Sequence, residues 1–177
     1  MNFSELSDMF FSYTGASTSD VDDTDLAFWF NEAQLDLSFD LGPVSTTTFE
    51  NAVAGKPYDI PATALQILDC SCDYEINAAG KIVFASSGDI ELTYRHEPAE
   101  FTAASDTEES ALHESLHYLF VIFACARYWD KESEGDNSES ALGTKWMNYY
   151  LMGKKRAIAR LTSLMGGNGL ADKWTII

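Results

Sequence analysis

The chain has 177 residues, 46% hydrophobic and 22% charged, the composition of a globular protein long enough to fold around its own core. No run approaches the roughly eighteen apolar residues of a membrane span, and three cysteines do not make a disulfide framework. A formal net charge of −17 sets the body against nucleic acid, because proteins that grip DNA neutralise phosphates with clustered Lys and Arg.

The charge is unevenly placed. No Lys or Arg precedes Lys56, whereas from Lys145 onward Lys145, Lys154, Lys155, Arg156, Arg160 and Lys173 face one acid, Asp172. Such asymmetry favours head-to-tail contacts of opposite sign in an assembly. Taken alone, the cluster Lys154, Lys155, Arg156 and Arg160 reads as a solvated helix face that complements the helix dipole. The opening Met1-Asn2-Phe3-Ser4-Glu5 lacks the basic and apolar regions of a secretory signal, so a chain that stays in the cytoplasm is expected.

In chain order, residues 4–13 read as a short helix capped by Ser4 and closed by Thr14-Gly15. A second helix is expected from about Asp22 to Phe39. Its apolar residues crowd most of the circumference, with Leu26, Trp29, Phe30, Ala33 and Leu37 as the inward stripe, so it is expected to be buried against partners. Leu41-Gly42-Pro43 breaks it, and Val44 to Lys56, rich in Thr, Ala and Gly, reads as a loop.

A β block follows from about Tyr58. Leu65, Ile67, Cys70, Cys72, Tyr74 and Ile76 have strand-like spacing, Asn77-Ala78-Ala79-Gly80 turns, and Lys81 to Ala85 returns as a second strand. Ile90, Leu92 and Tyr94 alternate with Glu91, Thr93 and Arg95 as a third, stopped by Pro98. Ser105-Asp106-Thr107-Glu108-Glu109 then carries capping spacing in two registers and predicts a helix running to about Lys131, apolar on every face from Leu116 to Trp129, the central helix of a bundle. A last helix is expected from about Ser138 to Leu164 despite Gly143 and Gly153. The fold class is therefore mainly α with a small β element (α+β): a helical bundle of about four helices over residues 1–165, an inserted antiparallel β meander at about 57–98, and an extended C-terminal docking tail at 166–177. That tail keeps Leu170, Trp174, Ile176 and Ile177 beyond two glycines, a composition that favours docking over solvation.

One chemical motif stands out. His113, Glu114 and His117 spell H-E-S-L-H, the H-E-x-x-H of zinc peptidases, in which one helical turn brings two imidazoles to a metal and the Glu serves as general base. A third ligand is required, and the candidates are His96, Glu134 and Glu139. The helix beyond the motif is too apolar to supply a second polar shell. The motif therefore reads first as the entrance of a buried helix, with no metal, cofactor or catalytic residue expected and a small zinc peptidase as the alternative. Cys70-Ser71-Cys72 is short for a zinc knuckle, and in a strand both thiols would face one way into a core.

The element order, together with Y-D-I-P at 58–61, L-T-Y-R-H-E-P-A at 92–99, F-T-A-A-S-D-T at 101–107 and Ala124, Ala126, Arg127, Tyr128 late in the long helix, resembles the head-tail adaptor (head-completion or connector) proteins of tailed bacteriophages. The resemblance covers about residues 20–164. It implies a structural virion protein, assembled in the host cytoplasm as a homo-oligomeric ring, a dodecamer, that joins the portal protein to tail or nozzle proteins at the head-tail junction. DNA would pass through the channel without specific binding, and no membrane would be involved. On this resemblance the protein-interface residues are Leu170, Trp174, Ile176 and Ile177 of the tail with Lys154, Lys155, Arg156 and Arg160 of the last helix.

Overall fold

The structure, a computed structural model, describes residues 1–103, 109–132 and 137–166, except for the side chains of 137–139 and 161–166. It divides into two compact units. Met1–Leu41 and the described residues from 98 to 166 form a helical unit, and Gly42–Glu97 form a β unit.

The helical unit opens with α1 (Phe3–Thr14). Its cap is Asn2, not the expected Ser4: the Asn2 side chain accepts from the Glu5 N–H at 2.9 Å while the Glu5 carboxylate accepts from the Asn2 N–H at 3.1 Å, a reciprocal box that satisfies two otherwise orphaned donors. Gly15 ends the helix at φ +71°, a left-handed conformation open to a residue without Cβ. α2 (Asp23–Leu41) buries Leu26, Trp29, Phe30, Ala33 and Leu37, the expected inward stripe. α3 (His117–Glu132), preceded by a 3-10 turn at Glu114–Leu116, packs against α1, α2 and α4 (Asn137–Gly166). It buries Leu119, Phe120, Val121, Phe123, Ala124, Cys125 and Ala126. The expected cap at Ser105-Asp106 falls outside the described residues.

What holds the returning chain is polar. After the β unit, residues 99–101 lie along α2, where Asn31 donates to the Phe101 carbonyl at 3.0 Å and accepts from its N–H at 2.8 Å. One turn on, buried Gln34 donates to the Ala99 carbonyl at 2.8 Å and accepts from the Ser110 hydroxyl. An amide side chain can replace a strand partner in this way because it carries both a donor and an acceptor.

The expectation of a mainly α bundle with a small β meander is corrected by the β unit. Six strands form two three-stranded antiparallel sheets: β1 (Val44–Ala52), β6 (Gly88–His96) and β3 (Ala64–Cys70), with β6 central; and β2 (Pro57–Tyr58), β5 (Ile82–Phe84) and β4 (Tyr74–Ile76), with β5 central. The order is not that of a meander, since the last strand lies between the first and third. The unit also starts at Gly42 rather than near residue 57, because Val44–Ala52, expected as a loop, is the edge strand of β6, paired from Val44↔Arg95 to Phe49↔Ile90. Thr46, Thr47 and Thr48 are β-branched and suit a pleated, half-exposed edge. Between Phe49 and Ala52 the register jumps, with Asn51 at φ +50° and its N–H held by Asp89 at 2.8 Å, an irregularity of the kind that twists an edge.

This unit has its own core. Ile82 and Phe84 of one sheet meet Ile90, Leu92 and Tyr94 of the other, with Ala52 and the partly buried Phe49 and Tyr58 around them. Phe49 and Phe84 pack edge to face at 5.1 Å. The alternation read from Ile90, Leu92 and Tyr94 is seen directly, since all three are buried.

Two stability outcomes follow. Gln34→Ala leaves the Ala99 carbonyl and Ser110 hydroxyl without their partner and removes a buried side chain; urea titration should show a loss of about 1–3 kcal/mol. An unchanged midpoint would remove Gln34 from the clamp. At Gly153 a Cβ would lie 2.5 Å from Leu119 Cδ2 and 3.3 Å from the Tyr118 hydroxyl. Leu119 is fully buried, so the overpacking cost of about 1–3 kcal/mol should outweigh the roughly 1 kcal/mol helix-propensity gain of Ala over Gly. Gly153→Ala should lower the melting temperature, where an exposed helical glycine would raise it.

Candidate functional site

The H-E-S-L-H motif does not lie on one helical turn. His113 stands outside the helix in extended backbone (φ −56°, ψ 136°) and caps the 3-10 turn, accepting from the Ser115 N–H at 3.2 Å through Nδ1, which is also 2.8 Å from the Ser115 hydroxyl. His117 begins α3 and is buried. Its Nε2 lies 2.8 Å from the Leu112 carbonyl, which can only accept, so Nε2 carries the proton; Nδ1 then accepts from the Met1 amino group at 2.9 Å. The ring stacks on Phe120 at 5.6 Å.

Zinc needs imidazole nitrogens directed at one point with further ligands beside them. His117 has both nitrogens committed, His113 is exposed and turned to Ser115, and among the described residues no three His, Cys, Asp or Glu side chains are grouped to hold a metal. The described residues do not fit a zinc site. Of the candidate third ligands, His96 lies at the end of β6 in the other unit with Nδ1 2.8 Å from the Glu97 carbonyl, and Glu134 and the Glu139 side chain fall outside the described residues.

Cys70 and Cys72 are both half-buried, Cys72 lying in the turn after β3 rather than in a strand. They border an open groove of about 810 Å³ with Asp69 and Asp73. Burial, partly offset by a backbone hydrogen bond at Cys72, pushes the Cys70 thiol up, and burial pushes Cys125 up to about 12. Both are therefore thiols at neutral pH, not activated thiolates.

The basic cluster on α4 divides. Lys154 turns inward: its ammonium lies 3.0 Å from Asp36 Oδ2, 3.0 Å from the Asp36 carbonyl and 3.1 Å from Asp40 Oδ2. Burial alone would depress its pKa, but the hydrogen bonds and charges of Asp36 and Asp40 outweigh it and hold it above the usual lysine range. Buried Tyr150 donates to the same Asp36 carboxylate, and burial followed by that carboxylate raises its pKa. Lys154 thus locks α4 to α2. Lys155, Arg156 and Arg160 are exposed. Leu170, Trp174, Ile176 and Ile177 lie outside the described residues.

Two further ties fix the α2 surface. Arg127 of α3 makes a two-point ion pair with Glu32 while its guanidinium sits 5.1 Å from the Phe123 ring. Lys131 reaches Asp25 at 2.7 Å. These pairs frame what the sequence reading did not single out: Phe28, Leu35 and Phe39 of α2 face outward and are exposed. The signal was an α2 apolar around most of its circumference, which exceeds what one buried face needs.

Against models of known protein families and the sequences of curated proteins, the chain shows no match.

The His117 geometry has a pH consequence. Burial, ahead of all else, holds its pKa below the ordinary 6.5, and the neighbouring amino group adds to this against the Leu112 carbonyl, Glu109 and Glu114. The unfolded chain then binds the proton more readily, so this contribution to stability is full above pH 6.5 and is lost as pH falls through the folded-state pKa. Urea midpoints should fall between pH 6.5 and 5. In His117→Gln, which keeps a donor and an acceptor but cannot titrate, that slope should be shallower. Parallel slopes in the two proteins would overturn the assignment.

Proposed function

We propose that this chain is a structural subunit of the neck of a tailed bacteriophage, assembling with its own copies into a ring between portal and tail and around the path of the exiting DNA. The observation that carries the reading is the element order. Two helices precede a β unit inserted at Gly42 and closed by Tyr94-Arg95-His96-Glu97-Pro98, after which the chain resumes as the apolar α3 with Ala124, Ala126, Arg127 and Tyr128.

Surface chemistry supports it. The net charge of −17 is carried by a body that would repel phosphates, which suits a surface DNA must slide past. In this reading the portal-facing elements are the tail with Leu170, Trp174, Ile176 and Ile177, whose apolar and aromatic composition is of the kind that anchors interfaces, and the exposed Lys155, Arg156 and Arg160 of α4. No observation favours the zinc-peptidase reading, because the imidazoles it needs are engaged elsewhere.

Electron microscopy of the purified protein, alone and mixed with a phage portal protein, should show annular particles or portal particles with an added ring of density. Monodisperse monomers that leave the portal unchanged across salt and protein concentration would overturn the proposal. Deleting residues 168–177 should leave a folded protein that no longer binds the portal; retained binding would move the docking element elsewhere.

A further inference from the structure

α2 presents a second apolar line besides its buried one. Phe28, Leu35 and Phe39 are 65%, 40% and 49% exposed. At about 100° per residue, their offsets of seven and four keep them within about 20° of one line, roughly 16 Å long. Beside Phe28 a groove of about 490 Å³ opens between α2 and α3, bordered by Trp29 and the Glu32, Arg127 and Lys131 side chains.

Among the described residues the charge along this line is not balanced. α2 holds Asp23, Asp25, Glu32, Asp36 and Asp40 and no Lys or Arg. Asp36 and Asp40 share Lys154 at one end, while at the other Lys131 is the ion-pair partner of Asp25, with Asp22 and Asp23 close by in the chain. Carboxylate is therefore in excess at both ends of the apolar line.

The complement is on α4. Leu142, Tyr149 and Met152 are 37%, 46% and 51% exposed. With Lys145 and Arg156 they occupy one flank of the helix, a strip about 80° wide and about 15 Å from first to last apolar residue. Residues 140–160 contain no acid. The cations bracket Tyr149 and Met152 and stand about 16 Å apart along the axis, the length of the α2 line. Lys145 lies 5.8 Å from the Tyr149 ring and keeps it company on that flank.

We propose that the line Phe28, Leu35 and Phe39 on α2 is the seat for the Leu142, Tyr149 and Met152 flank of α4 from a second copy of this chain. Apolar side chains meet along the middle, with Lys145 and Arg156 of the second copy near the carboxylate-rich ends. The two surfaces differ, so the contact is head-to-tail, and repetition leads to a closed ring or an open filament. The inference rests on the ring reading for closure, which alone covers both surfaces on every copy.

The test uses the full chain with Cys70 and Cys72 replaced by Ser. Leu35→Cys goes into one preparation and Tyr149→Cys into another; these positions align when the helices run parallel and lie about 5 Å apart along the axis when they run antiparallel, within reach of a short linker either way. A short bis-maleimide linker should give crosslinked dimer in the mixture at least tenfold above either protein alone. In parallel, Phe28→Asp with Phe39→Asp, both exposed, should reduce annular particles at least tenfold with circular dichroism unchanged. Leu35→Cys crosslinking to itself would replace this contact with a two-fold α2–α2 one and overturn the proposal. Persistent annuli without the mixed crosslink would also overturn it, leaving the ring reading intact. Mixed crosslink without annuli or portal binding would uphold the contact and reject the ring. Absence of both would reject both.

Discussion

The helical unit depends on two amide side chains. Its chain is interrupted between Leu41 and Pro98 by a unit with a separate core, so α3 can find α1 and α2 only if the returning segment is set in place. Asn31 and Gln34 do this by treating Phe101 and Ala99 as strand partners. Phe101 is then buried between Phe30 and Phe120, at 6.4 and 6.1 Å, and Leu112 and Leu116 follow into the same core. Such bonds contribute only about 1 kcal/mol each net of water. Their larger effect is to choose which backbone lies against α2, something apolar contacts, being non-directional, cannot specify.

α2 bears a double load. One face is the hub of a core that includes Phe3, Phe10, Phe30 and Phe120, where each full aromatic burial contributes roughly 1.5–3 kcal/mol. The opposite face carries three large apolar residues in water, and acids of the same helix pair with Arg127 and Lys131 of α3 and Lys154 of α4. The exposed pairs of Arg127 and Lys131 are worth about 0–1 kcal/mol each, too little to account for the fold, while Lys154 is largely buried against Asp36 and Asp40. These pairs bring acidic side chains of α2 into fixed positions beside the exposed line, which matters more for what can dock there than for stability.

Much of this was legible in the sequence, and the exceptions have physical causes. The inward stripe of α2, the alternation of Ile90, Leu92 and Tyr94, and the stop at Gly15 are local patterns that tertiary structure did not override. β1 is weakly signalled because Val44–Ala52 is a half-exposed edge whose pairing is dictated by β6. The H-E-S-L-H pair was placed on one helix because spacing alone says so; instead the chain at Glu109 bridges to Asn2, and the helix proper begins only at His117. Gly143 and Gly153 read as propensity costs in sequence. In the structure they are where α4 meets Asp130 and Leu119 at distances a Cβ would violate, so the cost in one element is a packing requirement in the next. The outward line on α2 was visible as surplus apolarity, but which residues formed it depended on where α3 and α4 settle.

The cations along α4 are divided between two sides of the helix. Lys154, Lys155 and Arg156 are consecutive, and rotation of about 100° per residue sends them to different sides. Lys154 is spent on Asp36 and Asp40, while Lys155 and Arg156 stay exposed. At physiological salt a charge is screened beyond about 8 Å, so these exposed cations act chiefly on what comes into contact. The same screening bears on the acidic body in the ring reading. Its repulsion of a passing phosphate backbone is confined to near-contact distances, enough to prevent adhesion along a channel wall without opposing transit through the middle of it.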